Sequence, residues 1–386
     1  MKQILILGST GSIGQQTVDV IKKLHASAVG LSAYRDVDRM EEQIRELHPL
    51  VAVLTDPDAA RDLKARVQDT KTRVLAGTEG LTEMIRQTPC DGAVNGISGM
   101  AGTRPFLELL RRGIPVAVAN KESLVTAGPL LQKEAKHTGA AILPVDSEHS
   151  AIFQCMQGAH SISQVKRLLL TASGGPFFGW KKEELNRVTP SMALNHPSWR
   201  MGAKITVDCA TMMNKGLEIM EAVRLFGLPQ DKIQVLIHRE SIVHSMIEFQ
   251  DHAVLAQLGT PDMRVAIQYA LTYPNRFPSP AEELDLTKVA SLSFAPLDTE
   301  TFPATEICRQ AIAEDGLCPT VLNAANEVAV EAFLEGRLSF PGIIAIVQEQ
   351  LDRASRKTNP DLEEIFACDR ETRVLAQERI NHLARP

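Results

Sequence analysis

At 386 residues the chain exceeds what one hydrophobic core usually holds, so two or three domains are expected. Its 44% hydrophobic and 23% charged residues are those of a folded, soluble protein, and a net charge of -6 without a concentrated basic run argues against a nucleic-acid partner. No apolar run reaches the roughly 18 residues a membrane span requires, residues 2–7 are too soon broken by glycine to be a signal peptide, and the cysteines form no CxxC pair. The expectation is a cytoplasmic protein with free thiols and no membrane partner.

Residues 3–145 alternate short apolar runs, at 4–7, 28–33, 51–54, 92–95, 116–119 and 141–145, with helical segments. Near-continuous apolar strands separated by helices predict a parallel sheet covered on both faces, an α/β doubly wound, Rossmann-like domain over 1–145. Gly8, Gly11 and Gly14 follow the first strand and open a helix containing Val18, Val20 and Ile21. Glycines at such a turn let backbone approach a phosphate, and the free N–H groups of the helix start stabilise its charge. The spacing is GxxGxxG rather than GxGxxG, but the strand-turn-helix context points to the pyrophosphate of a nicotinamide dinucleotide. The alternative is a turn needed only for strand-to-helix packing.

The second strand ends in Ser32-Ala33-Tyr34-Arg35-Asp36. An acid there suits the ribose hydroxyls of NAD, whereas Arg35 suits the 2′-phosphate of NADP, and a guanidinium's bidentate geometry favours the latter. A solvated charge pair is the bland alternative.

Asp146-Ser147-Glu148 stands at the end of the strand 141–145, where an extended chain would point both carboxylates to one side. Paired hard oxygens suit Mg²⁺ or Mn²⁺, although such pairs are common on surfaces. Beyond it, strands are predicted at 167–170, 205–207, 235–237 and 254–258, joined by loops rich in Gly, Pro, Ser and His, in a central α/β catalytic domain over 146–272. Ser173-Gly174-Gly175 supplies a hydroxyl and bare N–H groups, the chemistry of an anion nest or of an ordinary turn. His196-Pro197-Ser198-Trp199 sets a large aromatic on a loop, either to cover a ligand or to anchor the loop. Asn214-Lys215-Gly216-Leu217-Glu218 offers amide, ammonium and carboxylate together; the alternative is a helix whose Glu218 and Glu221 face solvent. Residues 273–303 carry five prolines and read as a linker. Residues 304–386 are helical by period, with Val321, Leu322, Ala325, Val328, Ala329 and Phe333 in one stripe before Gly336, and predict a C-terminal helical bundle.

The segments Gly8 to Gly14, Asn120-Lys121-Glu122-Ser123-Leu124-Val125, Leu143-Pro144-Val145-Asp146-Ser147-Glu148-His149, Ala172-Ser173-Gly174-Gly175-Pro176-Phe177, His196-Pro197 with Trp199 and Met201-Gly202, Ala210-Thr211-Met212-Met213-Asn214-Lys215-Gly216-Leu217-Glu218, Leu258-Gly259-Thr260-Pro261-Asp262-Met263 and Leu322-Asn323-Ala324-Ala325-Asn326-Glu327 run in order along nearly the whole chain. Together they closely resemble the 1-deoxy-D-xylulose 5-phosphate reductoisomerase family. The resemblance implies a phosphorylated keto-pentose substrate, rearranged and then reduced by NADPH to 2-C-methyl-D-erythritol 4-phosphate, and usually a homodimer.

It further implies Asp146, Glu148 and Glu218 as ligands of a divalent metal, and Lys121, Glu148, His196 and Lys215 as the catalytic set. Thr10, Gly11, Ser12, Ile13, Arg35, Asp36, Asn120, Glu122 and Gly202 match cofactor positions. Ser147, Ser173, Trp199, Cys209 and Asn214, with Lys121, Glu148, His196, Lys215 and Glu218, match substrate positions. Two departures stand out: Cys209 replaces a phosphate-binding serine, and Tyr34-Arg35-Asp36 replaces a turn that is often Gly-Lys-Asn. A plain NAD(P) dehydrogenase without metal and a redox-sensing binding protein are the competing readings; the first leaves Asp146, Glu148 and Glu218 unexplained.

Overall fold

The computed structural model describes residues 2–197, 199 and 201–383. The chain divides into two compact units, one made of Met1–Ser123, Leu131–Ser150 and Asp262–Glu283, the other of Leu124–Leu130, Ala151–Pro261 and Leu284–Pro386.

The first unit begins β1 (Gln3–Leu7), α1 (Ser12–Leu24), β2 (Ser27–Ala33), α2 (Val37–Leu47), β3 (Val51–Leu54), α3 (Pro57–Arg66), β4 (Arg73–Ala76) and α4 (Gly77–Gln87). It continues β5 (Gly92–Asn95), α5 (Thr103–Arg111), β6 (Val116–Val118), α6 (Lys121–Thr138) and β7 (Ile142–Pro144), and ends in the start of α7 (Ser147–Met156). The seven strands lie in the order β4-β3-β2-β1-β5-β6-β7, every pair parallel. Leu5, Ile6, Leu7, Val53, Leu54, Val94, Val116 and Val118 are fully buried, as strands covered on both faces must be. The doubly wound sheet is therefore as predicted, with β4 the strand the sequence did not disclose. Its RVLA lies on the sheet edge with both ends exposed, so it lacks an apolar run. Connections diverge on either side of β1, and a crevice forms at such a switch point, outside the strands' carboxyl ends.

The second unit has β8 (Val165–Ala172), α8 (Pro190–Ala193), α9 (Ala203–Ala210), α10 (Met213–Phe226), β9 (Ile233–Ile237), β10 (Val243–Phe249) and β11 (Val254–Leu258). After α11 (Met263–Thr272), which belongs to the first unit, come β12 (Ala295–Pro296), α12 (Ala304–Glu314), α13 (Cys318–Leu334), α14 (Phe340–Asp352) and α15 (Leu362–Leu383). Its sheet runs β11-β10-β8-β9-β12, with β8 and β9 parallel and the other pairs antiparallel. Val207, Ala210, Ile219, Ala329, Phe333, Ile343 and Ala376 join one buried cluster with Leu168, Leu170 and Ile247 of the sheet.

Two expectations are corrected. The strand expected at 205–207 is helix: Thr206 Oγ1 donates to Gly202 O at 2.8 Å, and Val207 and Ala210, three apart, are both fully buried. A three-residue β-branched run is too short for its period to distinguish the two. Nor are Asp146 and Glu148 on extended chain: the Asp146 carbonyl accepts from Ser150 N at 2.8 Å and its carboxylate from Glu148 N at 3.3 Å, so the aspartate starts α7.

Candidate active site

The glycine turn separates two physical roles. Gly8 has φ +81°, and a Cβ there would meet Gly96 O at 2.7 Å; at Gly14 it would meet Gly8 O at 2.3 Å. Both are demanded by packing. At Gly11 the nearest atom to a Cβ would be Gly8 O at 3.4 Å, and Gly11 is the N-cap of α1 without a side-chain cap. Gly11 and Ser12 are exposed, with Thr10 and Ile13 half-buried. The helix start is therefore open to an anion, and the residues fit a dinucleotide pyrophosphate.

Arg35 is exposed, its guanidinium carbon 5.7 Å from the Tyr34 ring centroid, while Asp36 caps α2 by accepting from Arg39 N at 3.1 Å. Asn120 caps α6 by accepting from Ser123 N at 2.7 Å and donates to Gly99 O at 2.8 Å and to Ile97 O. Glu122 lies half-buried in that helix's first turn.

Lys121 is buried, with Nζ 2.5 Å from Asp146 Oδ2. His149, fully buried, brings Nδ1 to 3.5 Å from Asp146 Oδ1. Burial acts to raise the Asp146 pKa, but the Lys121 charge and His149 override it and hold this carboxyl well below the usual range. Ser147 donates its hydroxyl to Glu148 Oε2 at 2.5 Å. Two ionisable carboxylates thus flank the start of α7, a hard-oxygen donor set that fits a divalent metal.

In the second unit, β8 delivers Ser173 into a turn where Gly174 and Gly175 have φ +77° and +65°. Gly175 N donates to Ser173 Oγ at 3.3 Å, and Arg239 Nη1 donates to the carbonyls of Ser173 and Gly175 at 2.8 and 2.6 Å. Trp199 N donates to His196 Nδ1 at 3.0 Å, which assigns the ring proton to Nε2, 3.0 Å from Ser173 Oγ. The Trp199 indole stands 6.3 Å from the His244 ring. The His196 segment and the Ser173 turn are thereby joined. Ser198 lies outside the described residues.

Half-buried Cys209 sits near the end of α9, which starts at the N-cap Gly202. A Cβ on Gly175 would come within 2.8 Å of Cys209 O, so turn and helix pack backbone to backbone. On α10, Asn214 Nδ2 donates to Glu218 Oε1 at 2.5 Å and Lys215 Nζ pairs with Glu218 Oε2. Lys215, Glu218 and Glu221 are 2%, 1% and 1% exposed, which overturns the solvent-facing alternative. Burying such a pair disfavours folding unless its charges compensate, so this face of α10 is built for more than packing.

Sequence reading placed His149 in a motif but assigned it no role, and assigned Arg239 and His244 neither. The i, i+3 spacing of Asp146 and His149 was a usable signal; Arg239 works through backbone carbonyls and left none.

Models of the family described as "1-deoxy-D-xylulose 5-phosphate reductoisomerase" match residues 4–128, its C-terminal domain 142–226, and "DXP reductoisomerase C-terminal domain" 258–375. The relative of that name from Halalkalibacterium halodurans is 48% identical over 384 residues, 98% of this chain and 100% of its own. The one from Acetivibrio thermocellus is 47% identical, covering 98% and 99%. The Zymomonas mobilis enzyme solved with NADPH superposes with TM-score 0.93 at 41% identity over 98% of this chain and 99% of its own. A DOX-P reductoisomerase solved with NADPH, fosmidomycin and magnesium gives 0.94 at 39% identity, covering 99% of each.

Proposed function

The chain belongs to the 1-deoxy-D-xylulose 5-phosphate reductoisomerase family, and on that premise we propose how its residues divide the work. It is an NADPH-dependent oxidoreductase that, with a divalent metal, converts 1-deoxy-D-xylulose 5-phosphate into 2-C-methyl-D-erythritol 4-phosphate, early in isoprenoid precursor synthesis by the non-mevalonate route. One observation carries this: relatives of that name align at 47–48% identity over 98% of the chain, so the likeness spans nearly its whole length.

In our reading, residues 1–145 bind NADPH, 146–272 carry the metal and substrate residues, 273–303 link, and 304–386 form the helical domain. Thr10, Gly11, Ser12 and Ile13 would hold the pyrophosphate, Arg35 and Asp36 stand at the ribose turn, and Asn120, Glu122 and Gly202 are the remaining cofactor-binding residues. Asp146, Glu148 and Glu218 hold the metal. When bound, the ion, Mg²⁺ or Mn²⁺, supplies polarisation of the substrate's carbonyl and hydroxyl, and NADPH supplies the hydride.

The protein's own groups do the rest. Lys121 offsets the charge of Asp146 and keeps it ionised, while Ser147 orients Glu148. Ser173, Cys209, Asn214 and Lys215 hold the substrate phosphate and hydroxyls, and a bond to a charged oxygen contributes about 1.5–3 kcal/mol. His196, positioned by the Trp199 amide, closes with Trp199 over the substrate, keeping its fragments together and water out while carbon–carbon bonds exchange.

A homodimer is supported by the sheet edge, where Val254 and Leu255 of β11 are 47% and 43% exposed, and by exposed Leu286, Leu292 and Phe294. No described helix is long and apolar enough to cross a membrane, and we place the enzyme in the cytoplasm. The test is NADPH oxidation with the keto-pentose phosphate after exhaustive chelation: activity should vanish and return with Mg²⁺. Undiminished turnover would remove the metal role and favour a plain dehydrogenase.

A further inference from the structure

Asp36 presents a difficulty for an NADPH enzyme, because a carboxylate at the end of the second strand of such a sheet ordinarily binds the ribose hydroxyls of NAD and repels a 2′-phosphate. Here the carboxylate is otherwise engaged. Its Oδ1 accepts from Arg39 N at 3.1 Å, capping α2, and its Oδ2 lies 3.9 Å from the Arg39 guanidinium. Arg39 reaches the other way as well, donating through Nη1 to Gln15 Oε1 of α1. Gln15 in turn donates to Thr10 O at 2.8 Å, inside the glycine turn. One turn further along α2, buried Gln43 donates to Ser9 O at 2.8 Å.

Arg39 is thus held at the carboxyl ends of β1 and β2, between the turn that meets the pyrophosphate and the turn that meets the ribose, with 43% of its side chain still exposed. Arg35, four residues earlier, is exposed on the same turn. From this arrangement we propose that Arg39 is a second, specificity-determining cation for the 2′-phosphate of NADPH, acting with Arg35, and that Asp36 is a positioning residue for Arg39 rather than a ribose ligand. The proposal rests on the NADPH reading above. Two guanidiniums can close on one phosphate, and a phosphate tolerates the nearby carboxylate because that charge is already neutralised by the arginine it holds.

The test is equilibrium binding of NADPH and NADH, followed by nicotinamide fluorescence without substrate or metal, for the wild type and for Arg39→Gln, Arg39→Lys and Arg35→Ala. Arg39→Gln should weaken NADPH by about tenfold to a hundredfold while NADH changes less than about twofold. Arg39→Lys should recover part of the loss, since it keeps the charge without the fork. An equal loss for both cofactors would mean that Arg39 only braces the glycine turn through Gln15, and an unchanged NADPH affinity would mean that it does nothing there; either overturns the proposal. A wild type that binds NADH as tightly as NADPH would instead defeat the cofactor reading itself. If Arg39→Gln does not fold, Arg39→Lys gives the same comparison: a selective loss for NADPH supports the proposal, an equal loss refutes it.

Discussion

Lys121 Nζ and Asp146 Oδ2 lie 2.5 Å apart with side chains only 8% and 11% exposed, an ion pair between the first residue of α6 and the residue that starts α7. Removing one member of such a pair strands the other charge. Lys121→Met should therefore lower folding stability by about 3–5 kcal/mol and abolish turnover, read from denaturant melts and steady-state rates. Unchanged stability would show that solvent or the metal already compensates Asp146.

The two roles within the glycine turn can be separated by adding one methyl group. Gly14→Ala must push against Gly8 O at 2.3 Å and should cost stability, about 1–3 kcal/mol. Gly11→Ala meets only a 3.4 Å contact and should keep its melting temperature while weakening NADPH binding. Should Gly11→Ala bind NADPH as the wild type does, the turn would be reduced to a packing device.

At Cys209 the family resemblance leads us to expect a phosphate-binding serine. A thiol is a poor donor, and a hydroxyl bonded to a charged group contributes about 1.5–3 kcal/mol. Cys209→Ser should lower the KM for the keto-pentose phosphate by roughly tenfold and leave kcat nearly unchanged. A KM that stays put would place residue 209 outside the phosphate's reach.

Glu248 on β10 faces Arg167 of β8 in register and pairs with Lys166 at 2.8 Å. Bonds from Lys166, His252 and Arg167 hold its carboxyl down to about 2, from an ordinary 4.5. A lowered folded-state pKa gives stability that is present above the ordinary value and lost as pH falls toward the lower one. The melting temperatures of wild type and Glu248→Gln should thus differ at neutral pH, draw together as pH falls below about 4.5 and meet only near about 2. A constant gap would deny the linkage.

The doubly wound sheet was legible because strands buried on both faces announce themselves as unbroken apolar runs, as at 51–54 and 92–95, each reproduced to the residue. What escaped notice was polar or short. β10 mixes His244, Ser245 and Glu248 among its apolar residues, although all three are buried, because ion pairs and hydrogen bonds satisfy them in the middle of the sheet. The run at 205–207 hid the helix Ala203–Ala210, in which Thr206, Val207, Asp208 and Ala210 are buried. In the site, the motif residues Lys215 and Glu218 were visible, and they pair with each other within α10. Arg239 under the Ser173 turn and Gln15 beside Arg39 are tertiary facts with no local pattern.

The central claim is that reduction follows rearrangement of the carbon skeleton. Analysing the phosphorylated product after incubation with 1-deoxy-D-xylulose 5-phosphate, Mg²⁺ and NADPH tests it most directly. Branched 2-C-methyl-D-erythritol 4-phosphate, formed in equal amount to NADPH oxidised, is the predicted result. An unbranched deoxypentitol phosphate would mean that the enzyme reduces its substrate without isomerising it, and would contradict the account.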